Sequence, residues 1–118
     1  MKKSQVFQSN RNFIVVSYST SHGLLLIRSR KTNEYPKRIE ILFQDVRAIE
    51  LRFWFDGVLI EEVDQTFLAH FQSKPTQMVE PGNKIYCIKG NGWMGYIVGG
   101  IFRTVEDDGD FNSPSSLL

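Results

Sequence analysis

The stretch Arg38-Ile39-Glu40-Ile41-Leu42-Phe43 alternates strictly, with Ile39, Ile41 and Phe43 on one side and Arg38, Glu40 and Leu42 on the other. Successive side chains of an extended chain point to opposite faces, so this pattern specifies a half-buried β-strand. Gln44-Asp45 breaks the pattern, and Val46–Phe53 resumes it with Ile49, Leu51 and Phe53 opposed to Glu50 and Arg52. Upstream, Asn12–Ser19 is rich in the β-branched and aromatic residues that suit a pleated surface. Thr20-Ser21-His22-Gly23 reads as a turn, and Gly23–Arg30 as the strand that returns from it, which together predict a β-hairpin. Downstream, Asp56-Gly57 reads as a turn before a short strand, Val58–Val63. Lys84–Lys89 and Gly92–Phe102 form a last pair around Gly90-Asn91-Gly92, with Gly95, Gly99 and Gly100 marking a bulge or bend.

Asp64–Lys74 is the one segment with helical character: Asp64 is a capping residue, and Phe67, Leu68 and Phe71 recur at i, i+1 and i+4. At roughly ten residues such a helix needs the sheet for support. The pattern predicts an all-β fold, an antiparallel sandwich or open barrel of six to seven strands with at most one short helix. One domain over residues 1–118 is expected, with a core over about 5–104 and a loosely held acidic, Ser/Pro-rich tail over 105–118.

The composition, 42% hydrophobic, 13% aromatic and 23% charged over 118 residues, excludes a disordered chain, a collagen-like fibre and a coiled coil. No apolar run approaches the ~18 residues of a membrane helix. The opening Met-Lys-Lys-Ser-Gln has no apolar stretch behind it, so no secretory leader is expected. Cys87 is the only cysteine, which fits a reducing compartment, and the sequence predicts a cytoplasmic protein without a membrane partner. The net charge is +1, but residues 1–59 hold ten basic and five acidic side chains, and residues 60–118 hold four and eight. The basic segment Arg28, Arg30, Lys31, Lys37 and Arg38 and the acidic segment Glu106, Asp107, Asp108 and Asp110 read as solvated loops.

Nucleophilic catalysis needs a nucleophile, a base and an orienting group in contact. His22 follows Ser17, Ser19 and Ser21 without the strained elbow that presents a hydroxyl, and Cys87 lies mid-strand as a packing group. No catalytic residue is expected; the alternative is a small-molecule or hydrolytic pocket using the His22 turn with Arg28 and His70. One cysteine and two distant histidines supply zinc poorly, and Glu106-Asp107-Asp108-Gly109-Asp110 lacks the spacing of a calcium loop, so no metal site is expected. No phosphate-cradling loop and no β-α-β alternation are present, so no cofactor is expected. Tyr18, Tyr35 and Phe13 beside Arg28, Arg30, Lys31 and Arg38 are the materials of a single-strand binder, but the near-zero net charge argues against nucleic acid.

A protein partner or self-association fits better. Neighbours on a strand face opposite ways, so Phe53-Trp54-Phe55 places Trp54 against the direction of Phe53 and Phe55, and one side is left outside the core unless both are covered. Trp93 and Met94 stand beside a glycine-rich turn, and these five residues are the predicted interface.

The strings His22–Ser29, Arg38–Val46 and Asp56–Ile60, with Gly95-Tyr96-Ile97-Val98 and Glu106-Asp107-Asp108-Gly109, carry a resemblance. Over most of residues 12–116 the chain resembles a group of small bacterial proteins of uncharacterised function. Residues 24–60 are loosely similar to small β-rich immunity proteins of bacterial toxin systems, in which strand, F-x-x-V and strand recur, here as Phe43-Gln44-Asp45-Val46. The resemblance implies a non-enzymatic binding protein that neutralises a toxin, and it carries over no catalytic residue.

Overall fold

The computed structural model describes residues 3–73 and 75–118. The strands are β1 (Lys3–Ser19), β2 (Leu24–Ser29), β3 (Arg38–Phe43), β4 (Ala48–Glu50), β5 (Trp54–Val63), β6 (Lys84–Gly90), β7 (Trp93–Gly99) and β8 (Phe102–Asp107). They form one open antiparallel sheet in the order β4-β7-β6-β5-β1-β2-β3-β8. The all-β expectation holds. The strand count is corrected from six or seven to eight among the described residues, and a single sheet replaces the sandwich option.

The alternation of β3 works as read. Ile39, Ile41 and Phe43 join Leu25, Ile27, Phe55 and Ile88 in the main core. Three strands separate β3 from β6 in the sheet, yet the Phe43 and Tyr86 rings meet at 5.2 Å between centroids. The sheet therefore curls until its concave face closes on itself, which removes both flanks of the core from water. The two links between edge strands cross at one end of the opening. There the Gln44 amide donates to the Ile101 carbonyl at 2.8 Å, and the Gly100 amide donates to the Gln44 carbonyl at 2.9 Å. A Cβ on Gly99 or Gly100 would stand 3.3 Å or less from the Gln44–Asp45 backbone, so these glycines permit that close approach.

Asp56-Gly57 is not a turn. It lies inside β5, where Gly57 has φ +70° and stands opposite two residues of β1, Asn10 and Arg11, between the pairs Ser9–Val58 and Asn12–Asp56. This is a β-bulge, and the positive φ selects glycine. The bulge re-aims the Arg11 side chain across the sheet. Its guanidinium donates to the carbonyls of Arg30 (3.1 Å) and Lys37 (2.7 Å) and stacks on Tyr35, which pins the loop between β2 and β3. Burial lowers the Arg11 pKa.

The expected helix is a single 3₁₀ segment, η1 (Gln65–His70); Lys74, the end of the expected helix, lies outside the described residues. Asp64 caps η1 as anticipated, accepting from the Thr66 amide at 3.0 Å. Six residues cannot sustain α-helical cooperativity, so the segment tightens and is held by its apolar side chains instead. Phe67, Leu68 and Phe71 pack on the outer face of β5–β7, against Val63, Ile85, Cys87, Tyr96 and Val98. A second 3₁₀ turn, η2 (Pro75–Met78), follows. Gly92–Phe102 is two strands with a break at Gly100-Ile101, and the acidic segment from Glu106 begins inside β8 rather than in the tail. No helix of the described residues is long and apolar enough to cross a membrane.

Candidate functional site

One cover, η1, lies over the outer face of β5–β7. A second lies over β2, β3 and β8: the segment after β8, whose contacts with Arg28, Arg38 and Glu40 draw it across that face. Between the covers, the start of β5 is bare. Phe53 is 81% exposed and Trp54 67%, whereas Phe55 is 2% exposed. The alternation of side chains along the strand produces the split: Phe55 stacks on Phe13 in the core, and Trp54 points the other way, paired in register with half-exposed Ile14 of β1. Phe55 is thereby removed from the expected interface. Phe53 precedes the strand and stays outside with Trp54.

Leu51, Arg52, Phe53, Trp54, Phe55, Asp56, Asn91 and Trp93 line an open hollow of about 540 Å³ at this rim. Trp93 is half-buried, packs on Phe55 at 5.0 Å between ring centroids, and forms its floor. The Arg52 guanidinium lies 5.9 Å from the Trp93 ring centre. Arg52 and Asp56 are exposed and form no ion pair among the described residues, so the rim carries a positive and a negative side chain beside two bare aromatic rings. Met94 is exposed and lines a separate small hollow with Glu61, His70 and Cys87 beside η1, so the structure does not bring it into the Trp54 hollow.

The three residues of the expected pocket are also separated. His22 sits exposed at the hairpin tip, its Nδ1 2.9 Å from the Ser21 hydroxyl. His70 ends η1, its Nδ1 2.8 Å from the Phe67 carbonyl. Arg28 is buried and committed to a network that sequence reasoning did not find. Glu40, 0% exposed, accepts from Arg28 Nε at 2.9 Å and Nη2 at 2.6 Å, and its other oxygen stands 3.5 Å from Arg38 Nη2. Arg38 grips Asp107 with two parallel bonds, 2.8 and 2.9 Å, a bidentate geometry that strengthens a charge pair. The Arg38 hydrogen bonds hold the Asp107 carboxyl well below the usual carboxylate range and raise Arg38 in turn. Lys31 reaches Asp110 at 3.1 Å. The basic and acidic segments, expected as separate solvated loops, meet through three pairs, Arg38–Asp107, Lys31–Asp110 and Lys37–Asp108, while Arg28 takes Glu40. The antiparallel register of β3 and β8, Arg38 opposite Asp107, brings them together. Their opposite signs at opposite ends of the chain were the available signal.

The described residues hold no group of three or more His, Cys, Asp or Glu side chains placed to bind a metal ion. No protein-family model, curated protein or solved structure matches the chain.

Proposed function

We propose that the chain is a non-enzymatic binding protein whose working contact is the Phe53–Trp54 rim, and that the occupant of this rim is a second copy of the chain. The observation that carries the reading is the pair of adjacent aromatic rings left bare, 81% and 67% exposed, beside a well-filled core. A large exposed aromatic surface is costly in water and marks a contact site. Self-pairing is favoured because the patch carries its own complement. A two-fold interface requires residue i to meet j while j meets i, and Arg52 and Asp56, exposed and of opposite sign, with no ion pair among the described residues, flank the rings.

The resemblance of residues 24–60 to immunity proteins spans this rim, and it makes a toxin domain the heterologous partner to test on the same patch. Nucleic acid gains no support, because Arg28, Arg38 and Lys31 are matched by carboxylates. Cys87, the single cysteine of the chain, is buried, which fits a reducing compartment and a cytoplasmic protein.

Light scattering on charge-reversal variants tests the pairing. Arg52→Asp and Asp56→Arg each convert an attractive contact into a repulsive one and yield monomers; the double variant restores the dimer. A dimer that tolerates both single reversals sinks the two-fold arrangement. A monomer at all concentrations, inhibiting a toxin through Trp54, replaces the second copy by that partner.

A further inference from the structure

Gly90 and Trp93 pair across β6 and β7, so Asn91-Gly92 is the whole link between the two strands. Gly92 takes φ +79°, which glycine adopts without the penalty a Cβ imposes. A Cβ built there would meet no atom within 4 Å beyond its chain neighbours, so the tip stands in open space. Asn91 is exposed, its backbone amide donates to the Asp56 carbonyl at 3.4 Å, and it lines the same hollow as Arg52 and Asp56. We infer that Asn91 is a self-modification site, at which the Gly92 amide nitrogen attacks the side chain and leaves a carboxylate in the rim hollow.

The chemistry needs only water. The Gly92 nitrogen gives its proton to solvent and forms a bond to Asn91 Cγ, while the Cγ–Nδ2 bond breaks and the nitrogen departs as ammonia. Water then opens the cyclic imide. Addition at Cγ restores the main chain and yields aspartate; addition at the main-chain carbonyl reroutes the chain through Cβ and Cγ and yields isoaspartate. Nothing is oxidised or reduced. Asparagine is among the thermally labile residues, and an intramolecular attack gains its rate from geometry.

Geometry also separates Asn91 from the other asparagines. It alone is followed by glycine, whose nitrogen carries no neighbouring side chain to crowd the approach. At Asn83 the side-chain oxygen is held by the Glu80 amide at 2.9 Å. After Asn112 the Ser113 amide is committed to the Asp110 carbonyl at 3.0 Å. The product changes the hollow: one guanidinium, Arg52, would face two carboxylates instead of one. The isoaspartate form also lengthens the main chain of a two-residue link and so loosens the Gly90–Trp93 pair and the Trp93 ring against Phe55. The chemistry at Asn91 is the same whatever occupies the rim.

The test is incubation of the full, folded chain in mildly alkaline buffer at physiological temperature, with sheet content checked by circular dichroism. Peptide mapping by mass spectrometry locates each amide-to-acid exchange, and enzymatic methylation by an isoaspartyl methyltransferase counts isoaspartate. The expected result is conversion at Asn91 more than about tenfold faster than at Asn83 or Asn112, with isoaspartate among the products. Asn91→Gln should abolish the acidic species, because the longer side chain closes its ring far more slowly. Conversion at Asn91 no faster than at Asn83 and Asn112 overturns the inference. So does conversion that occurs in urea but not in the folded chain, since the turn then holds the two groups apart, and so does the same acidic species arising from Asn91→Gln.

Discussion

Three consecutive aromatic residues should respond to truncation in opposite ways. Phe55 is buried between Phe13, at 6.1 Å, and Trp93, at 5.0 Å between ring centroids. Phe55→Ala deletes a ring that neighbours cannot replace, and such truncations cost about 3–5 kcal/mol. With a urea dependence of about 1.5 kcal/mol per molar, the midpoint falls by about 2–3 M. Phe53 and Trp54 touch mainly water, so Phe53→Ala and Trp54→Ala should fall within about 0.5 kcal/mol of the parent when monomers are compared. Concentration separates folding from association. A dimer's stability rises with protein concentration by mass action, so the parent midpoint should climb on concentrating while that of Trp54→Ala stays fixed. The assay is urea unfolding followed by far-ultraviolet circular dichroism over a hundredfold range of concentration. A Trp54→Ala loss as large as that of Phe55→Ala, present even at the lowest concentration, would place Trp54 within the monomer's own packing and refute the reasoning.

Other outcomes follow from the same geometry. A Cβ on Gly95 would overlap the Glu50 carbonyl, so Gly95→Ala should displace the three-residue strand β4 from β7 and cost more than about 2 kcal/mol, measurable as a lowered urea midpoint. Tyr86, whose hydroxyl donates to the Gly100 carbonyl, is pushed up to about 12 by burial and by Glu62. Its folded pKa lies above the ordinary 10.0, so the neutral ring's contribution is complete below pH 10 and is lost between pH 10 and 12. Absorbance at the phenolate band should show one tyrosine titrating last, and Tyr86→Phe should remove that step. Asp107 has the opposite sign: its folded pKa is depressed, so its contribution is present above the ordinary carboxylate value of 3.8 and fades as pH falls below it. Protection of the Gly109 amide, which donates to Asp107 at 2.9 Å, measured against the intrinsic exchange rate at each pH, should fall at acid pH in the parent and be weaker than the parent's at neutral pH in Asp107→Asn.

The strands of the core were legible because one face of each carries an unbroken apolar period, as in Ile39, Ile41 and Phe43. Edge and bulged segments were not. β1 extends back to Lys3 through the polar run Gln8-Ser9-Asn10-Arg11, which pairs by backbone with β5 and leaves no apolar signature. Asp56-Gly57 carries the residue chemistry of both a turn and a bulge, and only the opposing β1 strand decides between them. At the rim, alternation told which side Trp54 takes relative to Phe55, but not which side was core; the burial of Phe55 supplied that. The Arg28–Glu40–Arg38–Asp107 network depends on pairing residues 28 to 40 and 38 to 107 in register, and a linear pattern carries no record of such distant neighbours.

The most direct test of the central claim is the solution mass of the unmodified chain and of Trp54→Ser, measured by light scattering after gel filtration over a range of loading concentrations. The account predicts a species approaching twice the 13.6 kDa chain mass for the parent and the single chain mass for Trp54→Ser. A parent that stays at the single chain mass throughout, or a Trp54→Ser variant that dimerises as well as the parent, would contradict it.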